Sequence, residues 1–315
     1  MKKPTFIYNI LAACCLTVLT LLSSCFTGVE STPAITSKEL KKQKIVTTPE
    51  SLLLADVVPQ KPSEWSKGKR FYISDARAVR ALWRTEPLID SDSLLGKTAT
   101  LLRVDTVPSL TGKPEVSLIF ETEHPYVTLE MRPGFTIEQW EALNMLTLPY
   151  FIDWDMVDEV NRRLKDSQLY ILSGRRIGND SVDTIGTRYQ SVRVIDVVPA
   201  TEATPLRVRL IDDENHLSSV LMTIGDATTA RRNFETIFAI ENPRNKYKHI
   251  SDDNWQLIQK SKVKIGMTPE ECRLALGSPD SYTRIPTTAG MVERWTYTNG
   301  VYLMFEDGLL SRTNL

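Results

Sequence analysis

Three histidines, His124, His216 and His249, are the side chains that titrate nearest neutral pH. The first two stand beside carboxylates. His124 follows Glu121-Thr122-Glu123, and His216 follows Asp212-Asp213-Glu214-Asn215. Each stretch therefore offers an imidazole and several acids, donors that a metal ion accepts. A structural site needs four ligands in fixed geometry, and one imidazole among flexible acids on a turn falls short, so no metal and no cofactor are expected. Cys272 is the other candidate nucleophile, and its place in the first turn of a short helix reads as a buried apolar thiol. No Gly-x-Ser-x-Gly, His-Glu-x-x-His or phosphate-cradling loop occurs. A non-catalytic protein is expected, because an enzyme would need a cleft gathering polar residues from separate domains. The arginine pairs Arg162-Arg163, Arg175-Arg176 and Arg231-Arg232 read as solvated faces, with anionic head groups as the alternative contact. Trp65, Trp83, Trp140, Trp154 and Trp255 read as core, against the sharper alternative of an exposed patch for a partner.

The element holding Cys272 is marked at both ends. Thr268 is an N-cap, Pro269 sits at the first helical position, and Glu271 completes a Thr-x-x-Glu capping box. Met267 and Cys272 occupy the positions of a hydrophobic staple. Gly277 suits a left-handed terminus, and Pro279 blocks continuation. Strand patterns follow at 281–285 and 291–298, and Asn299-Gly300 is a hairpin turn. In 301–306, Val301, Leu303 and Phe305 share a face, and Asp307-Gly308 turns into a last strand at 309–312.

This stretch resembles the SmpA/OmlA (BamE-like) family of small outer-membrane lipoproteins. The matching positions are Gly266, Met267, Thr268, Leu276, Gly277, Pro279, Trp295, Tyr297, Phe305 and Gly308, within residues 251–315. Cys272 stands where the family usually carries valine, and the segment 252–262 differs from the family's. Most of these residues are structural types, so the resemblance implies a helix packed on an antiparallel β-meander. It also implies a role around outer-membrane protein assembly or envelope integrity.

The chain begins Met1-Lys2-Lys3, runs apolar from Phe6 to Leu22, and reaches Leu22-Ser23-Ser24-Cys25. A positive start, a short apolar run and small residues before a cleavage point describe a secretory signal. The ending resembles a bacterial lipobox, which implies lipidation (palmitate among the acyl chains) of Cys25 and anchoring in the outer membrane, facing the periplasm. An ordinary signal with an incidental cysteine is the alternative. Cys14 and Cys15 leave with the signal and Cys25 carries lipid, so Cys272 has no partner for an internal disulfide. Residues 25–66, rich in Thr, Ser, Pro and Lys, read as a tether, with 51–58 a short element docking on the body.

Between the tether and the C-terminal domain lies a candidate internal repeat. At an offset of 91 residues Asp105, Val107, Pro108, Pro114, Met131 and Gly134 match Asp196, Val198, Pro199, Pro205, Met222 and Gly225. Apolar alternation at Val116, Leu118 and Phe120 answers Leu206, Val208 and Leu210 at an offset of 90, a slip that calls for a bulge or a partly fortuitous alignment. Each unit reads as antiparallel strands with an acidic, exposed hairpin tip. Helices are expected from Thr136 through Leu146 and over 228–240, with connecting helices at 155–164 and 252–259. Leu169-Tyr170-Ile171 and Val263-Lys264-Ile265 then look equivalent. Strand-rich units of this size most resemble SH3-like modules.

Loss of Lys2 and Lys3 with the signal takes the net charge from −1 to −3, leaving no basic excess for a nucleic-acid partner. The expected organisation is α+β: a signal (1–24), a lipid-anchored tether (25–66), two β-rich repeat units (67–165 and 166–250) and a BamE-like domain (251–315). The expected function is a binding or assembly module at the outer membrane. The alternative is a peptidoglycan-binding lipoprotein using the repeated units, which exposed Tyr72 and Tyr170 would favour.

Overall fold

The computed structural model describes residues 48–76, 84–86, 90–110, 112–123, 127–178, 181–225, 232–287 and 290–315. The lipobox with Cys25, most of the tether, His124, Trp83 and Arg231 lie outside the described residues. What is described is α+β: three antiparallel sheets in chain order, with short helices against them.

The first sheet comprises β1 (Arg70–Ile73), β2 (Arg84–Glu86), β3 (Thr98–Val107), β4 (Glu115–Thr122), β5 (Thr128–Met131) and β6 (Phe151–Asp153), in the order β2-β5-β4-β3-β1-β6. The second comprises β7 (Gln168–Ile171), β8 (Arg175–Gly178), β9 (Asp183–Ile185), β10 (Gln190–Pro199), β11 (Leu206–Asp212), β12 (Leu217–Met222) and β13 (Phe238–Ala239). Its order is β13-β7-β10-β11-β12-β8-β9. Read from the other end and without β9, the second order is that of the first.

Each long opening strand carries a bulge, between Leu101 and Arg103 in β3 and between Val194 and Asp196 in β10. Leu101 faces Phe120 as Val194 faces Leu210, so the opening strands lie 93 residues apart and their partners 90. The single offset of 91 is therefore an average over loops of different length and aligns no strand in register, a correction to the residue-by-residue matches.

The inward faces follow the alternation. Phe71, Phe120 and Phe151 meet Trp65 and Trp140 in the first core, while the second is mainly aliphatic, with Val192, Val194, Val208 and Leu210 central. Helix α1 (Pro49–Leu53) is capped by Thr48 and leads to Leu54 and Val57, which seal the second core. Helix α2 (Ile137–Ala142) has the Thr136–Gln139 capping box but ends before Leu143, because the chain turns extended there; Leu143 and Leu146 still pack on the first core. Helix α3 (Trp154–Leu164) buries Val157, Val160 and Leu164 on one stripe.

Two expected elements are corrected. The helix expected over 228–240 is, among described residues, α4 (Phe234–Ile237), one turn capped by Asn233 and ended by β13. Val263–Ile265 forms no strand, so the two connectors are not equivalent.

The C-terminal part begins with α5 (Asp252–Gln259) and α6 (Pro269–Leu276), followed by β14 (Ser281–Thr287), β15 (Gly290–Thr296), β16 (Tyr302–Glu306) and β17 (Leu309–Thr313) in sequential order. Thr268 and Glu271 close the capping box, and Asn254 Nδ2 donates to Glu271 Oε1 at 2.6 Å, tying α5 to α6. Met267, Cys272, Trp295, Leu303 and Phe305 form its core. Gly277 has φ 87° and ψ −175°, a conformation open to glycine but not the left-handed helical one expected. Tyr189, just before β10, enters this core, its hydroxyl donating to Leu274 O at 2.9 Å, and Arg188 Nη1 donates to Ala275 O at 2.9 Å. Those carbonyls belong to the last turn of α6, where no intrahelical donor remains.

Candidate binding cleft on the second sheet

The hairpin of β8 and β9 folds beside β12, with Ser218 opposite Gly178 and Ser219 opposite Ile177. Between this hairpin, the chain at Gly186–Gln190 and the β11–β12 turn lies a cleft of about 500 Å³. Its walls are polar: Arg176 and Gln190 sit opposite Asp212, Glu214 and His216.

Arg176 is 5% exposed. Its Nη2 donates to Thr187 O and to Gln190 Oε1 (3.3 Å for the latter), while Nε is buried without a hydrogen-bond partner. Among the described residues no carboxylate lies within ion-pair distance of it. Gly186 makes the position possible, since a Cβ there would stand 2.6 Å from Arg176 Nε. Burial lowers the guanidinium's pKa, and the charge of Asp212 opposes that.

Gln190 joins the two sides, its Nε2 donating to Asp212 Oδ2 at 3.2 Å. Asp212 Oδ1 accepts from the backbone N–H of Glu214 (3.0 Å) and of His216 (2.8 Å), which folds the turn around the carboxylate, with Asn215 at φ 64°. Burial pushes the Asp212 pKa up. Hydrogen bonds from the His216 and Glu214 N–H groups and from Gln190 outweigh that and hold it below the ordinary 3.8. The expectation of an exposed acidic tip is thus corrected at Asp212, whose side chain is largely buried in the cleft wall; Glu214 and His216 are exposed.

The other singled-out residues are dispersed. His249 Nε2 pairs with Glu270 Oε2 at 2.8 Å at the start of α6, in a different part of the molecule from His216. Among the described residues no three His, Cys, Asp or Glu side chains converge to hold a metal. Cys272 is buried, which pushes its thiol up to about 12. Arg162 and Arg163 are engaged by Glu159, and Arg163 also by Asp56, on the outer face of α3. Trp65, Trp140 and Trp255 are core. Of the family-matching positions, Met267, Trp295 and Phe305 are core. Thr268 caps α6, Tyr297 donates to Gly277 O at 3.2 Å, Leu276 and Pro279 are half-buried, and Gly266 and Gly308 take positive φ of 90° and 81°.

Tyr72 is half-buried, edge-on to Trp154 at 6.2 Å and packed against the second core, so it does not line an open groove. Tyr170 is also half-buried. In the C-terminal sheet, the outer strand β14 is exposed from Ser281 to Pro286, beside a shallow cavity of about 360 Å³ lined by Arg273, Tyr282, Arg284, Glu293 and Trp295.

Sequence reasoning missed Arg176, taking Arg175-Arg176 as a solvated pair. The available signal was alternation: Arg175 and Arg176 are neighbours on a strand, so one of them faces inward. The fold and cleft thus define an α+β protein with a polar site of small-ligand size. Comparison with family models, curated proteins and solved structures returns no match.

Proposed function

We propose that this chain is a non-catalytic, lipid-anchored protein of the outer membrane, held by Cys25 and working in outer-membrane protein assembly or envelope integrity. In this reading its two first sheets are copies of one SH3-like unit and its C-terminal domain is BamE-like. The shared strand order and the matched bulges support the first part. The capped helix α6 on a sequential four-stranded meander supports the second.

The observation that carries the binding role is strand β14. It is a sheet edge, its backbone unpaired on one side among the described residues, flanked by exposed Tyr282, Ile285 and Met291. An open edge of this kind accepts an added strand from a partner. The domain that bears it is fixed to the second sheet through Arg188 and Tyr189, so the edge is presented at a set orientation. Photo-crosslinking from position 282 in native envelopes tests this. Adducts with barrel-assembly subunits, reduced when Gly266→Asp strains the positive-φ approach to α6, are the expected result. Adducts with no such subunit would sink the assembly role.

A second reading, a peptidoglycan binder, draws on the polar cleft at Arg176. It is weakened by Tyr72, which is spent on packing rather than on an aromatic groove. Co-sedimentation with purified sacculi separates the two readings.

A further inference from the structure

We infer that the cleft between the β8–β9 hairpin and the β11–β12 turn is a ligand site for a small zwitterion, such as a free amino acid or a short peptide with both ends free. Its carboxylate would meet Arg176 and its ammonium would meet Asp212 and Glu214. This assignment does not depend on the assembly role, and its failure would leave that role untouched.

Four observations carry it. The first is a buried cation with no direct counter-ion among the described residues, Asp212 reaching it only across Gln190. Arg176 is 5% exposed, its direct partners among the described residues are neutral acceptors, and its buried Nε has none there. A buried charge without a directly paired counter-ion is unfavourable, and a planar guanidinium is the group best matched to a carboxylate. The second is space, since about 500 Å³ falls within the range of small-ligand clefts. The third is the opposite wall. Asp212 is held ionised by backbone N–H groups of its own turn, and exposed Glu214 stands two residues on. The fourth is spacing. A single amide, Gln190, spans from Arg176 Nη2 to Asp212 Oδ2 through contacts of 3.3 and 3.2 Å. A ligand that places its two charges a few bonds apart bridges the same pair. The carboxylates on the far wall disfavour a phosphate dianion, which would satisfy Arg176 and be repelled by its neighbours.

The test uses the full chain in detergent micelles and the dipeptide alanyl-alanine as probe. The reporter is the Nε–Hε NMR resonance of Arg176, assigned by its absence in Arg176→Lys. The free dipeptide is expected to shift that resonance saturably. Blocking its carboxylate as the amide, or its amine by acetylation, should each weaken binding about tenfold, as loss of a charge-assisted hydrogen bond in a sheltered site implies. Glu214→Gln, an exposed position where folding is not at stake, should weaken the free dipeptide severalfold and leave the acetylated form unchanged. No shift of the Arg176 resonance at saturating dipeptide overturns the assignment. So does a blocked form that binds as tightly as the free one.

Discussion

The first and second sheets share a strand order but treat a buried cation in opposite ways. Lys69, just before β1, is 5% exposed, and its Nζ sits 2.9 Å from Asp153 and 2.7 Å from Asp155, with the rings of Trp65 and Phe71 within 5.8 and 5.4 Å. Arg176 on β8 is equally buried, and its direct partners among the described residues are one backbone carbonyl and one side-chain amide. The Lys69 cluster is closed: the one ammonium is held directly between two carboxylates, and it joins the chain just before β1 to the start of α3. The Arg176 cluster is open on the side of the cleft. A satisfied charge holds structure together, and an unsatisfied one facing a cavity is free to recognise something.

The largest expected effect breaks the closed cluster. Lys69→Met should lower the unfolding free energy by about 3 kcal/mol, since removing one partner of a buried pair strands the other. Asp155 is well exposed, which places the loss at the lower end for such pairs. Urea denaturation of the variant checks it, and a change below about 1 kcal/mol would erase the contrast between the two sites.

A smaller loss, about 1–2 kcal/mol, is expected for Gly186→Ala, because the new methyl must displace the Arg176 guanidinium within a packed wall. Combining it with Arg176→Ala should remove most of that loss, a coupling a double-mutant cycle reads directly. Additive effects would mean that Gly186 is there for a reason other than the arginine.

Arg176→Met alone is expected to change stability by about 1 kcal/mol or less, because no carboxylate is left stranded and the stem volume is kept. The pair Lys69→Met and Arg176→Met, measured side by side, is the sharpest form of the comparison.

How much of this was legible follows from how local each feature is. The cap of α6 and the place where it ends lie within a dozen residues and were legible from sequence, though not the conformation of Gly277; the meander's turns at Asn299-Gly300 and Asp307-Gly308 were legible too. The strands of both other sheets were visible through alternation, but their register was not. The bulges at 101–103 and 194–196 shift the faces without leaving a residue type that marks them. The helix expected over 228–240 reflected apolar spacing at Phe234, Ile237 and Phe238, which the fold divides between one helical turn and a strand. Arg176 was hidden for a different reason. Its burial is created by Gly186, Thr187 and the 212–216 turn, which only the folded sheet brings together, and an arginine beside an arginine looks solvated.

The smallest effect concerns Asp212, which answers Arg176 across Gln190 without touching it. Its folded pKa lies below the unfolded 3.8, so it binds a proton less readily when folded. A depressed carboxylate contributes stability that is present above pH 3.8 and is lost as pH falls through the folded value. Asp212→Asn keeps an acceptor for the Glu214 and His216 N–H groups but cannot titrate. Above pH 5 it should therefore differ little from the parent in fold, and below pH 4 its stability should fall less steeply. Unfolding free energies measured from pH 2 to 6 on both proteins check this. Parallel curves would show that the Asp212 charge is not coupled to the turn, and would leave Arg176 with no balancing charge on the far wall of the cleft.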